Sequence, residues 1–238
     1  GCAGANVFYD AFLVDVTTRE RMDSVSAKGY GYGYIGSVIP FLVIIALILK
    51  GGMGDGLPVQ ETKIGFLVVT VWWLLLSLPA AKNLRQRHFM PSSVSPIVDS
   101  FKRLGRTFMQ IARHRQPFLF LLAYFFYIDG VGTIISMSTA YGRDLGFGIT
   151  LLIGVLLFIQ LVAFPFALLF GKLATLYSTK RMLLVGIVMY SIVTLLAFFL
   201  PAIDDLTART ALFWFIAFLV ASAMGGIQAL SRSYFGKL

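Results

Sequence analysis

The stretch Ile149-Thr-Leu-Leu-Ile-Gly-Val-Leu-Leu-Phe-Ile-Gln-Leu-Val-Ala-Phe-Pro-Phe-Ala-Leu-Leu169 decides the fold class. It carries no charged residue, and its most polar side chain is Gln160. A hydrocarbon core about 30 Å thick is crossed by about 20 apolar residues rising about 1.5 Å each, so the run is long enough to span as a helix. Membrane β-strands alternate apolar and polar residues over about ten positions, and this run does not. Five further stretches read the same way, roughly residues 30–49, 64–81, 117–141, 182–200 and 211–230. A seventh, Gly1 to Val16, reads as the tail of a span truncated at its start. The segment Gly29 to Gly36 alternates Gly with bulkier residues, yet on a helix it sets Gly29, Gly33 and Gly36 along one face as a small-residue stripe.

The rest of the composition agrees. Of 238 residues, 58% are hydrophobic and 13% charged, against about 25% charged in a soluble domain. Too few polar residues remain to cover a water-facing surface, which excludes a soluble globular protein. Cys2 is the only cysteine, which excludes a disulfide scaffold. The net charge of +9 first suggests an acidic partner, but its placement says otherwise. Sixteen Lys and Arg fall in alternate connections, against Lys50, Lys63, Arg143 and Arg209 in the others. By the positive-inside rule the sixteen-residue side is cytoplasmic, and no nucleic acid is needed to explain the charge.

The expected organisation is therefore an all-α, polytopic membrane bundle with six complete spans and one truncated. Residues 1–81 hold spans at about 1–16, 30–49 and 64–81. Residues 82–116 form a basic cytoplasmic loop, and residues 117–238 hold the remaining four spans. Within the loop, Ser95 as N-cap, Pro96 at the first helical position and Asp99 in the first turn predict a helix start. Val94, Ile97, Val98, Phe101, Leu104, Phe108 and Ile111 recur at helical spacing, with Lys102, Arg103, Arg106 and Arg113 elsewhere on the wheel. That pattern predicts an amphipathic helix at the membrane surface.

Polar groups retained inside spans mark candidate pathways, because a central Asp costs about 2.5 to 3.5 kcal/mol to insert. Asp129 lies about twelve residues, hence about 18 Å, into its span, followed by Gly130 and Gly132. Asp10, Gln160 and Gln228 are the other candidates. The spans 64–81 and 182–200 hold only Thr, Ser and Tyr as polar groups and read as lipid-facing, a regular placement that suggests two related bundles. No HExxH, GxSxG, Walker A or paired Cys or His pattern occurs, so no enzyme machinery, metal site or cofactor site is expected.

Several stretches resemble known families. Spans on both sides of a long basic amphipathic loop are the plan of the major facilitator superfamily. Gly171-Lys-Leu-Ala-Thr-Leu-Tyr-Ser-Thr-Lys-Arg181 is similar to its short cytoplasmic loop motif, which implies a conformational gating role for Gly171, Lys172, Lys180 and Arg181. Thr175 stands where that motif has Asp. Val7-Phe-Tyr-Asp-Ala-Phe-Leu13, Gly29 to Gly36, Tyr124-Phe-Phe-Tyr-Ile-Asp-Gly-Val131 and Gly225-Gly-Ile-Gln-Ala-Leu-Ser-Arg-Ser-Tyr-Phe235 resemble the autophagy-related vacuolar amino-acid effluxer family and its bacterial relatives. Relatives tend to carry Asn at the positions of Asp10 and Ile128. The resemblance implies spans four through ten of twelve, with the fourth, seventh and tenth, bearing Asp10, Asp129 and Gln228, lining a central cavity. The missing helices of the full chain then complete the bundle. The implied function is secondary transport of a small polar solute, such as an amino acid, by alternating access, in a bacterial plasma membrane; proton coupling is a separate expectation, resting on the carboxyl of Asp129 near the midplane. The alternative is a non-transporting scaffold or sensor that acts through the basic loop helix.

Overall fold

The computed structural model describes residues 2–52, 58–88 and 96–238. The expected N-cap Ser95, together with Val94, Asp55 and Gly1, lies outside them. In chain order the helices are α1 (Cys2–Ala11), α2 (Leu13–Val16), α3 (Met22–Gly51), α4 (Val59–Asn83), α5 (Pro96–Arg113), α6 (Arg115–Asp144), α7 (Ile149–Leu176), α8 (Thr179–Phe199) and α9 (Leu206–Lys237). A 3-10 turn, Leu200–Ala202, follows α8, and no strand occurs among the described residues. Six helices, α3, α4 and α6 to α9, are long and apolar enough to cross a membrane, which makes the protein an integral multi-pass membrane bundle.

The spans exceed their apolar runs because polar residues continue the helices at the ends. Asp205 caps α9 by accepting the Ala208 N–H at 2.7 Å, and Ser178 caps α8 by accepting the Arg181 N–H at 3.2 Å. The largest extension is at the start of α3, two turns ahead of Tyr30. Pro40, Pro79 and Pro165 sit inside α3, α4 and α7, each withholding one backbone N–H from the preceding turn. Because consecutive spans run in opposite directions, the basic connections gather at one end of the bundle, called here the basic end.

The core is built on α9, the most enclosed span. Toward the end opposite the basic one, Leu152, Val155, Tyr190, Val193, Phe213 and Val220 close α7, α8 and α9 around an apolar interior. Toward the basic end, Phe170, Ala174, Met182, Leu183 and Leu230 do the same. The α3 helix precedes the loop, yet it packs more extensively on α7 than on α4. In contrast α4 exposes Phe66, Leu67, Trp73 and Leu74, and one face of α8 exposes Leu184, Val188, Leu195 and Phe198. Apolar surface of that extent suits contact with lipid or with further helices.

The glycine stripe packs differently from the sequence expectation. Among the described residues nothing lies within 4 Å of a Cβ added at Gly33 or Gly36, whereas Gly31 faces Leu168 and Phe164 of α7 at 3.4 to 3.5 Å. The close helix approach uses the face of Ala27 and Gly31, with Ala27 seated on Gly171. Gly225 permits a three-helix crossing, since a Cβ there would lie 2.7 Å from Ala167 of α7 and 2.9 Å from Tyr34 of α3. Opposite signs are therefore expected for two like substitutions, read as thermal stability of the full-length protein in detergent. Gly225→Ala lowers stability by about 1 to 3 kcal/mol through overpacking, while Gly33→Ala raises it by about 0.5 to 1 kcal/mol through helix propensity. Equal shifts would contradict this packing.

Candidate functional site

Polar side chains on one face of α3 bind the helices on either side of the loop together. Ser26, Tyr30, Tyr34 and Ser37 recur at three- and four-residue spacing, so they stack along one face, and Asp23 stands one turn before them. From Asp23 to Ser37 the axial rise is about 21 Å, roughly two-thirds of a hydrocarbon core.

At the basic end Asp23 is buried, 2% exposed. Its carboxylate accepts from Thr179 Oγ1 at 2.8 Å, Ser233 Oγ at 2.6 Å and Lys237 Nζ at 2.5 Å. Lys237 keeps a partly exposed side chain and donates also to Thr179 Oγ1 at 3.1 Å. One carboxylate thus joins the starts of α3 and α8 to the end of α9. A turn deeper, Ser26 donates to the Ala229 carbonyl at 2.7 Å and accepts from Arg232 Nε at 2.9 Å. Arg232 also donates to the Ser26 carbonyl at 3.3 Å and to Asp10 Oδ1 at 3.1 Å. Its guanidinium lies 4.9 Å from the Tyr9 ring centre and 4.8 Å from that of Tyr30. Such cation–π contacts contribute about 0.5 to 2 kcal/mol each, more as water is excluded. Gly29 makes room for this group, with an added Cβ meeting Tyr9 Oη at 3.1 Å and Arg232 Nη2 at 3.3 Å.

Further in, Tyr34 donates its hydroxyl to Gln228 Oε1 at 2.8 Å, and Ser37 donates to Gln160 Oε1. Beyond Ser37 no hydrogen bond or ion pair joins α3 to α6, α7, α8 or α9 among the described residues. Gln160 also lines an apolar cavity of about 610 Å³ between α6, α7, α8 and α9. His88 approaches Asp15, near the end of the first expected span, with its backbone N–H at 3.0 Å and its ring Nδ1 at 2.6 Å, which ties the chain after α4 to α2.

Three of the four intramembrane candidates thus lie at the α3 interface: Asp10 on Arg232, Gln160 on Ser37 and Gln228 on Tyr34. Asp129 does not join them. It lies exposed on α6 with no hydrogen-bond or ion-pair partner among the described residues. The expected gating loop is largely helical: Gly171, near the end of α7, packs on Ala27, while Lys172 of α7 and Lys180 and Arg181 at the start of α8 are exposed and form no ion pair among the described residues. Thr175, at the position where the motif carries Asp, only bonds back to the Lys172 carbonyl at 2.7 Å. The cross-loop contact is made four residues later by Thr179. Sequence reasoning missed Asp23, Ser26, Thr179, Arg232, Ser233 and Lys237. The polar spacing along α3, and the i to i+4 pair Ser233 and Lys237, carried a signal for them.

The ion pair has an asymmetric expectation. Lys237→Met strands a buried carboxylate and costs about 3 to 5 kcal/mol. The double variant Asp23→Asn with Lys237→Met removes the stranded charge and is less damaging than Lys237→Met alone, with a coupling of about 0.5 to 3 kcal/mol. Additive losses of stability in the full-length protein would show that the pair is not coupled.

The chain was compared with known proteins. The family model described as vacuole effluxer Atg22 like matches residues 14–238. A Bacillus subtilis (strain 168) protein named uncharacterized MFS-type transporter YxiO is 51% identical over 241 residues, covering 100% of this chain and 54% of that protein. Autophagy-related protein 22-1 of Aspergillus niger is 26% identical over 231 residues, 90% of this chain and 37% of that protein. Autophagy-related protein 22 of Coccidioides immitis is 26% identical over 249 residues, 96% of this chain and 40% of that protein. The chain therefore spans about half, or less, of the length of these relatives. No solved structure matches it.

Proposed function

The chain belongs to the Atg22-like vacuole effluxer family, and on that premise we propose that it forms the middle of a secondary active transporter working by alternating access. One observation carries the reading. Among the described residues, the polar contacts between α3 and the helices after the loop run from Asp23 at the basic end to Ser37 and stop there. Hydrogen bonds and ion pairs of this kind can exchange for water, so the polar part of the interface can be solvated when the helices separate. The conformer is then the one sealed at the basic end, which we place in the cytoplasm by the positive-inside rule. The bacterial relative supports a plasma-membrane location. Two helix groups, residues 1–81 and 117–238, rock about the α3 interface, with Gly171 as a gate contact.

The substrate class we infer is a small polar solute, amino acids being the class suggested by the effluxer family. Asp10, Gln160 and Gln228 are the inferred pathway groups, because each is a polar side chain retained in a span and engaged at the moving interface. Asp129, an ionisable side chain retained within a span, is the inferred proton carrier. A transporter rather than an enzyme is the reading, since the polar groups are spread along an interface instead of converging on one reacting atom.

The test uses the full-length protein in proteoliposomes loaded with labelled amino acids. The reading predicts protein-dependent flux that responds to an imposed pH gradient, and loss of that response, with flux down the solute gradient retained, in Asp129→Asn. Flux that is insensitive to pH in both proteins would remove proton coupling, and no flux of any polar solute would favour the scaffold or sensor.

A further inference from the structure

The α5 helix is left with an uncovered apolar face. On a wheel turning about 100° per residue, Val98, Phe101, Leu104, Phe108 and Met109 fall within an arc of about 140°. Phe101 and Phe108 are each 71% exposed and Leu104 is 67% exposed, so the arc is not buried against the rest of the chain. The opposite arc carries Lys102, Arg103, Arg106 and Arg113, with Asp99 as the only acidic residue of the helix. No ion pair occupies these four cations among the described residues. Lys102 begins about 20° beyond the edge of the apolar arc at Met109, close enough for its stem to follow the apolar face while the ammonium turns outward.

Position fixes the kind of surface this face meets. Only His114 separates α5 from α6, and its backbone is extended (φ −101°, ψ 107°), so the chain turns sharply between the two helices. Because α6 is a span beginning at Arg115 and Gln116, the joint stands at headgroup level, and α5 cannot leave that level by more than its own length. The main packing neighbour of α5 is α6, at this joint. The span it holds is itself loosely fastened, with only Val131 and Gly142 buried, so the joint is one of few constraints on α6.

We propose that α5 is an anionic-lipid docking element: its apolar face enters the acyl region while Lys102, Arg103, Arg106 and Arg113 meet the phosphates of acidic phospholipids. Charge complementarity selects this occupant over a second copy of the chain, since two α5 helices brought together on their apolar faces would set two cationic rims side by side. The docking anchors the end of α6 and makes its position depend on the acidic lipid content of the leaflet.

The experiment uses the full-length protein with every native cysteine, Cys2 included, replaced by Ser and with Ala112→Cys, a small exposed residue on the apolar arc, labelled with a polarity-sensitive dye. The protein is reconstituted at about one copy per vesicle in phosphatidylcholine alone or with roughly 30 mol% phosphatidylglycerol, each with and without bromine-labelled acyl chains. The proposal expects the dye to shift to the blue with acidic lipid and its quenching by bromolipid to rise at least about two-fold, an effect that salt weakens. Replacing all four cations with Gln should abolish the rise, whereas replacing the three arginines with Lys should preserve it, because a charged surface does not require the guanidinium geometry. Elution as a single folded species controls for misfolding. Equal quenching in both vesicle types, or a Gln variant that behaves like the parent, overturns the proposal. A blue-shifted dye that bromolipid does not quench also overturns it, and would place α5 against protein.

Discussion

The structure depends on one buried carboxylate, Asp23, being held neutralised by groups from the other side of the loop. A lone charge at that depth would be expelled or protonated. Here Thr179, Ser233 and Lys237 converge on it, so α3, α8 and α9 are joined at a single point. Everything deeper on α3 follows in register: Ser26 on Ala229 and Arg232, Tyr34 on Gln228, Ser37 on Gln160. The close helix approach at Ala27, Gly31, Gly171 and Gly225 gives these side chains their reach. Small residues and short polar groups thus act together, the former setting the distance and the latter supplying direction.

The division between bonded and unbonded halves gives the interface its character. Apolar packing is concentrated within α7, α8 and α9, where it fixes one rigid unit. Between α3 and that unit the close contacts of Ala27 and Gly31 are joined by polar links, which among the described residues stop at Ser37. Polar links are cheap to exchange for water and costly to leave unmade in lipid, so the same contacts favour a sealed state and permit a solvated open one. Arg232 illustrates the balance: it holds Asp10, Ser26 and two tyrosine rings at once, yet Asp10 remains partly exposed.

Much of this was legible in the residues. Runs of about 20 apolar residues locate spans because nothing else satisfies the backbone in lipid, and all six complete spans correspond to helices. The partners of polar groups were not legible. Asp10, Gln160 and Gln228 stood out against apolar neighbours, but hydropathy carries no information about which helix faces which. Arg232 and Lys237 count among the sixteen cations of the connections, and Asp23 does not stand out at all, because a charged residue near a span end resembles a solvated one. They are instead inside helices, Lys237 paired with Asp23 and Arg232 with Asp10. The glycine stripe failed for a related reason: spacing defines a face, while packing selects which face is used, and Ala27 with Gly31 proved closer than Gly33 and Gly36.

The central claim is that the polar fastening at the basic end closes and opens. Double electron–electron resonance on the full-length protein, with spin labels at the exposed residues Lys28 of α3 and Lys180 of α8, measures it directly. The account predicts two distance populations, the shorter matching this conformer, with Lys237→Met and transported solute each shifting weight to the longer. A single distance, unmoved by solute and by loss of the Asp23 ion pair, would contradict it.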